Sequence, residues 1–162
     1  MPILSKVESK ELHNYKYKGG DTSPIYACFL SPLAQYCVDN FVPQSIAPNV
    51  ITLTGLVVVI IAFVLSLIYN PNLDSSCPRW VCVYTGIGIF VYQTLDNMDG
   101  KQARRTQTSS PLGMLFDHGC DAINSVITPV SMASCIGYGW SIGYVYFSIS
   151  VFIAFYFQTW EV

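Results

Sequence analysis

Asp96 and Asp99 stand three residues apart, and Asp117 and Asp121 stand four apart. On a helix, residues at either spacing share a face, so each pair sets two carboxylates side by side. Only a short loop separates the two stretches, so their acidic faces can converge. Carboxylate oxygens are hard ligands, and four of them suit Mg²⁺, Mn²⁺ or Ca²⁺. Two divalent ions would balance four carboxylates, and paired ions about 3.5–4 Å apart clamp a displacement at phosphorus. Gly100 follows Asp99 directly, and Gly113 opens the next apolar stretch. A missing side chain at either place lets a phosphate approach the backbone. Ala103 keeps the same face shallow, and Arg104 offers a planar fork for phosphate oxygens. These residue types point to a site for a diphosphate and its metals. Two other readings stay open: a proton or cation pathway, and structural ion pairs. No acid lies between Asp121 and Glu161, which weighs against a continuous pathway.

The elements that carry these acids must sit in a membrane. Of 162 residues, 52% are hydrophobic and 11% are charged, and the mean hydropathy is +0.42. Soluble domains carry about 25% charged residues. One domain of this size exposes too much surface to hide so many apolar side chains, so lipid is the natural solvent for the excess. A net charge of −2 provides no basic field for nucleic acid.

Residues 25–42 place Phe29, Leu30, Leu33, Tyr36, Cys37 and Phe41 at three-or-four spacing. That predicts a helix in the interface plane, bounded or interrupted by Pro24, Pro32 and Pro43. Ile51–Tyr69 is uncharged over nineteen residues, near the roughly 20 that cross a bilayer core. Asn49, after Pro48, is its expected N-cap. A second span runs from Trp80 to about Leu95, and its helix continues into Asp96 and Asp99. A third reaches from near Pro111 to about Gly137, with Pro129 a candidate kink. A fourth covers Ser141 to Trp160. The expected fold is all-α: a polytopic membrane bundle of about four transmembrane helices with an N-terminal amphipathic interfacial helix. Its regions are a mobile cytosolic arm over 1–24, the interfacial helix over 25–45 and a transmembrane domain over 46–162.

Lys6, Lys10, Lys16 and Lys18 precede the first span, and Lys101, Arg104 and Arg105 cluster after the second. The positive-inside rule therefore puts the N-terminus and the 96–121 region in the cytosol and the loop bearing Arg79 in the lumen. The polar first twenty residues are not a signal peptide. At about 1.5 Å per residue, Asp121 lies on the order of 15 Å from Pro111, near the bilayer midplane. Four aspartates at such depth would cost roughly 10 kcal/mol as an upper figure. Protonation, pairing with Lys101, Arg104 and Arg105, or cations would have to offset that. The six cysteines, Cys28, Cys37, Cys77, Cys82, Cys120 and Cys135, form no C-x-x-C pair and no ligand spacing. They are expected to pack as apolar side chains. His13 falls in the arm and is expected to be solvated.

The stretch from Asp96 to Asp121 matches D-x-x-D-G-x-x-A-R-x8-G-x3-D-x3-D without a departure, and so resembles the CDP-alcohol phosphotransferase family. DGKQARRTQTSSPLGMLFDHGCDA at 99–122, APNVITLTGL at 47–56 and YKYKGGDTSP at 15–24 are similar to its choline/ethanolamine phosphotransferase branch. The resemblance implies that Asp96, Asp99, Asp117 and Asp121 bind two metals, Mg²⁺ or Mn²⁺, that bridge a CDP diphosphate. Gly100, Ala103, Arg104 and Gly113 would shape the nucleotide pocket, and Asn49 would contact the cytidine. Asp121 is the implied base. His118 is the alternative, with an imidazole suited to taking a proton near neutral pH, or else a packed hydrogen-bond donor.

The implied reaction moves phosphocholine or phosphoethanolamine from CDP-choline or CDP-ethanolamine to diacylglycerol in the membrane and releases CMP. The implied setting is the endoplasmic reticulum or Golgi membrane, as a homodimer. The family's catalytic bundle has about six helices, so the transmembrane domain is expected to be C-terminally incomplete. That leaves a second expectation beside the enzyme: an inactive truncated membrane subunit that associates with a full-length relative.

Overall fold

The computed structural model describes residues 23–74 and 77–160, and the described residues contain helices and no strands. All but the last two residues of the expected arm over 1–24 lie outside them.

A π-helical turn, Tyr26–Leu30, runs directly into α1, Ser31–Phe41. Pro32 falls in the first turn of α1, where no amide is needed for an intrahelical bond. The expected interfacial helix therefore continues across Pro32 and stops before Pro43. It buries Ala34 and Val38 against Ile51 and Met98. Phe29, Tyr36 and Phe41 stay exposed.

Three long helices follow: α2, Pro48–Tyr69; α3, Arg79–Arg105; and α4, Pro111–Ile136. Ala47, not Asn49, is the N-cap of α2. The chain is already helical at Pro48, whose fixed φ suits the first helical position, so Asn49 lies inside the first turn. As expected, α3 runs on past Leu95 and carries both acids. Ser110 caps α4, its Oγ accepting from the Gly113 amide at 3.1 Å. Pro129 lies inside α4 without ending it. Gly137 closes α4 with φ 78°, a left-handed conformation that glycine adopts without strain. The last helix, α5, is Ile142–Trp160.

α2 packs along α3 and α4, α1 lies on α3, and α5 rests chiefly on α4. The interior between these helices is small and polar: Thr52, Ser66, Thr85, Gly88, Ser131 and Ser134 are buried. Large apolar side chains face outward instead, among them Leu53, Ile60, Val83, Ile87, Leu115 and Phe152. Small residues inside let backbones approach closely, which is how helices associate in lipid. A Cβ on Gly55 of α2 would stand 3.2 Å from Cδ2 of Tyr92 on α3, and one on Gly88 would stand 3.3 Å from Cγ1 of Val58.

Four spans are expected from the sequence. Among the described residues one helix, Pro48–Tyr69, is long and apolar enough to cross a membrane by length and composition, and Ile142–Phe157 is apolar but shorter. α3 and α4 have 27 and 26 residues, or about 40 Å each at 1.5 Å per residue. Length is therefore no obstacle. Their acids, bases and small polar residues lower the hydropathy.

Candidate metal and phosphate site

Three helices supply this site in layers, and α2 sets the spacing. Asn49, Thr52, Gly55, Leu56 and Val59 recur at three- and four-residue steps, so they descend one face of the helix. At the rim, a Cβ on Gly113 would lie 3.3 Å from Oγ of Ser110 and 3.7 Å from Oδ1 of Asn49. The tight contact is with the cap of its own helix, and the Asn49 side chain stands at ordinary van der Waals distance across from α2.

One turn down, the carboxylates of Asp96, Asp99 and Asp117 come within 4.8 Å of one another. Asp99 is 7% exposed, and the Thr52 hydroxyl donates to its Oδ2. The Oδ1 atoms of Asp96 and Asp117 are buried and have no hydrogen-bond partner. The next layer holds Asp121, whose Oδ1 accepts from the Tyr92 hydroxyl at 2.6 Å. Below it, Leu56, Val59, Tyr92 and Cys120 form an apolar floor with Ile127 packed against it.

The structure thus brings three of the four expected ligands into one cluster. It sets Asp121 one turn deeper on the Asp117 face, tied to Tyr92. His118 is half-buried and makes no hydrogen bond among the described residues. Gly100 leaves open space at the end of α3: a Cβ there would meet only Nη1 of Arg104, at 3.5 Å. Arg104 is exposed beside it, and Ala103 is half-buried.

The basic residues do not neutralise the acids. Lys101 donates to Oγ of Ser31 at 2.9 Å. Arg105 donates to the carbonyls of Val38 and Val42 at 2.6 and 3.0 Å. Both side chains hold α1, and Arg105 satisfies carbonyls that a helix C-terminus leaves open. Among the described residues, no ion pair joins Lys101, Arg104 or Arg105 to the four aspartates. Ion pairing is therefore not what offsets their burial. Gln102, fully buried, donates to the carbonyls of Pro43 and Ile46 at 3.0 Å each. It fixes the segment that leads into α2.

Thr52 and Tyr92 are the two site residues that sequence reasoning missed. Each is one polar atom in an apolar run, and only the packing of α2 and α3 shows where that atom points. The donor set fits a divalent metal: hard oxygens, two of them buried without partners, converging from two helices. An orphaned buried carboxylate oxygen is costly in a protein interior, and a cation relieves that cost.

A family model described as CDP-alcohol phosphatidyltransferase matches residues 45–160. An uncharacterised class-I protein of that description from Dictyostelium discoideum is 42% identical over 162 residues, 98% of this chain and 40% of the relative. A choline/ethanolaminephosphotransferase from Saccharomyces cerevisiae is 40% identical over 153 residues, 94% of this chain and 39% of its own. One from Arabidopsis thaliana is 44% identical over 150 residues, 93% of this chain and 38% of its own. The chain spans about two fifths of the length of these relatives.

Proposed function

The chain belongs to the CDP-alcohol phosphatidyltransferase family, and from that premise we propose its reaction. It transfers phosphocholine or phosphoethanolamine from CDP-choline or CDP-ethanolamine to the hydroxyl of diacylglycerol and releases CMP. The setting is a polytopic bundle in the endoplasmic reticulum or Golgi membrane, with the acids at the cytosolic end. The observation that carries this reading is the convergence of Asp96, Asp99 and Asp117, with two buried carboxylate oxygens left without partners. The outward apolar faces of α2–α5 support the membrane setting.

Asp96, Asp99 and Asp117, joined by Asp121 below them, would hold Mg²⁺ or Mn²⁺, two per site. Bound there, the ions supply the positive charge that a diphosphate and its transition state require. The chain's own residues do the rest. Arg104, free of other partners at the mouth, forks the phosphate oxygens. Gly100 and Ala103 leave the end of α3 open to the diphosphate, and the Asn49 amide stands at the rim beside Gly113 for the cytidine. Thr52 holds Asp99 in place.

Asp121 takes the proton from the attacking hydroxyl. Tyr92 occupies one of its oxygens and leaves the other to accept. The deprotonated hydroxyl oxygen of diacylglycerol then attacks the β-phosphorus, and the bond from that phosphorus to CMP breaks. His118, half-buried next to Asp117, is the second candidate for the proton. The Leu56–Val59–Cys120 floor keeps water from reaching the site from below, so the acceptor enters from the lipid and the nucleotide from the cytosol.

Transfer of labelled CDP-choline and CDP-ethanolamine to diacylglycerol, in membranes without other such enzymes and with Mg²⁺, tests the proposal. Lipid product that is lost with Asp99→Asn supports it, and the preferred donor identifies the substrate. Absence of product from inserted, intact protein would overturn it for this chain.

A further inference from the structure

We propose that Cys77, Cys82 and Cys135 form a second site, at the opposite end of the bundle, for one thiophilic d10 cation, Zn²⁺ or Cu⁺. Their three Sγ atoms all lie within 4.8 Å of one another. No spacing rule would group them: 5 residues separate the first two, and 53 separate Cys82 from Cys135. Tertiary packing brings them together. Cys77 sits in the loop just before Pro78, the N-cap of α3. Cys82 lies in the first turns of α3, and Cys135 in the last turn of α4. Fourteen residues separate Cys82 from Asp96, and fourteen separate Asp121 from Cys135. Both helices therefore place the sulfurs about 21 Å from the acids. The two sites share no residue.

Two further observations point to a ligand. Oγ1 of Thr85 and Oγ of Ser134 are buried with no oxygen or nitrogen partner, in residues that are 2% and 0% exposed, and each faces a cysteine sulfur. Ser134 adjoins Cys77, and Thr85 adjoins Cys135. A buried hydroxyl normally finds a partner such as the carbonyl four residues back. Here each meets sulfur instead, Ser134 at Cys77 and Thr85 at Cys135, and a donor to sulfur favours the thiolate. In addition, Cys82, Thr85, Met132 and Cys135 line a cavity of about 130 Å³, with room for a water as the fourth ligand.

The chemistry selects the cation. The group contains sulfur alone, which excludes hard ions and favours Zn²⁺ or Cu⁺. A Zn–S bond of about 2.3 Å sets tetrahedral sulfurs about 3.8 Å apart, so the cluster closes by at most about 1 Å. Burial pushes the Cys77 thiol pKa above its ordinary value, so that sulfur keeps its proton until a cation displaces it. A disulfide would consume two of the sulfurs and give the third, with both hydroxyls, no role.

The test uses the full chain, purified in detergent under reducing conditions. Zn²⁺ and Cu⁺ are titrated separately against chromophoric chelators, and thiol alkylation is then mapped by mass spectrometry. The expected result is one equivalent of Zn²⁺ or Cu⁺ bound, with Cys77, Cys82 and Cys135 protected while Cys28 remains reactive. Cys82→Ser and Cys135→Ser should weaken that binding roughly tenfold or more, and Cys28→Ser should leave it unchanged. Protection in the native chain reads the site even where a serine variant fails to fold. Metal bound without thiol protection would belong to the aspartates and would overturn the proposal. So would a disulfide among the three in protein purified without reductant, or unprotected thiols with both cations.

Discussion

The Tyr92 hydroxyl meets Oδ1 of Asp121 at 2.6 Å, and the absent side chain of Gly55 makes room for the ring that carries it. A contact between α2 and α3 thereby fixes a carboxylate on α4. Tyr92→Phe keeps the ring and removes the hydroxyl. If Asp121 takes the acceptor's proton, the variant should lose roughly tenfold to a hundredfold in kcat, with KM for the CDP-alcohol nearly unchanged. A pH–rate profile should move with the variant, whereas a purely structural Tyr92 would lower expression and leave the profile in place. His118→Ala provides the comparison. A larger loss there, with Tyr92→Phe near normal, would transfer the role to His118.

Asp99→Asn should reduce transfer by at least about a hundredfold, because it removes one of three converging carboxylates. The same change should not destabilise the metal-free protein. It retains an acceptor for Thr52 and removes a charge from a crowded acidic cluster. Mg²⁺ should raise the melting temperature of the native chain, and much less that of the variant, by the linkage of binding to folding. Thermal scans with and without Mg²⁺ check both statements. An equal Mg²⁺ effect in the two proteins would remove Asp99 from the metal site.

Thr52 touches Asp99 and does not belong to the acidic cluster itself. Thr52→Val preserves shape and deletes the hydroxyl. A hydrogen-bond donor behind a metal ligand is typically worth 10–100-fold in affinity or activity, so the Mg²⁺ concentration for half-maximal activity should rise by roughly that factor. Activity at saturating Mg²⁺ should recover most of the loss. Failure to recover would mean that Thr52 acts on the reaction and not on the metal.

Arg105 caps the end of α1 through the carbonyls of Val38 and Val42. Arg105→Ala should loosen α1 by about 1 kcal/mol, a modest figure because the side chain is exposed. Hydrogen exchange over residues 36–42 should accelerate while exchange in α2 stays slow. Arg104→Ala should leave that exchange unchanged and raise KM for the CDP-alcohol, since its guanidinium holds no helix.

The helices are legible from apolar runs and their punctuation. Pro48, Pro111 and Gly137 stand at or beside the ends that their stereochemistry favours. The convergence of Asp96, Asp99 and Asp117 is legible in their spacing, because a short loop between two helices leaves acidic faces little choice. Asn49 misled as a cap, since Pro48 had already begun the helix. The partners of Lys101 and Arg105 were not legible either: pairing with the acids was one of three ways to offset their burial, and the packing of α1 on α3 gave these bases carbonyl and hydroxyl acceptors instead. The three-cysteine cluster had no signal, because its members lie on different elements and meet only through the fold.

Among the described residues, those that meet at the acidic site come from three successive helices, between Asn49 and Asp121. During synthesis α2 emerges first with Thr52, then α3 with Asp96 and Asp99, and α4 last. With α2 as its only partner in a bilayer, α3 would present two carboxylates with a single hydroxyl, that of Thr52, to receive them. Its settling must wait for the partner surface that follows it. On the proposed polytopic reading the unit of membrane entry is the α3–α4 hairpin as a pair, and a ribosome halted before α4 should leave α3 at the membrane surface.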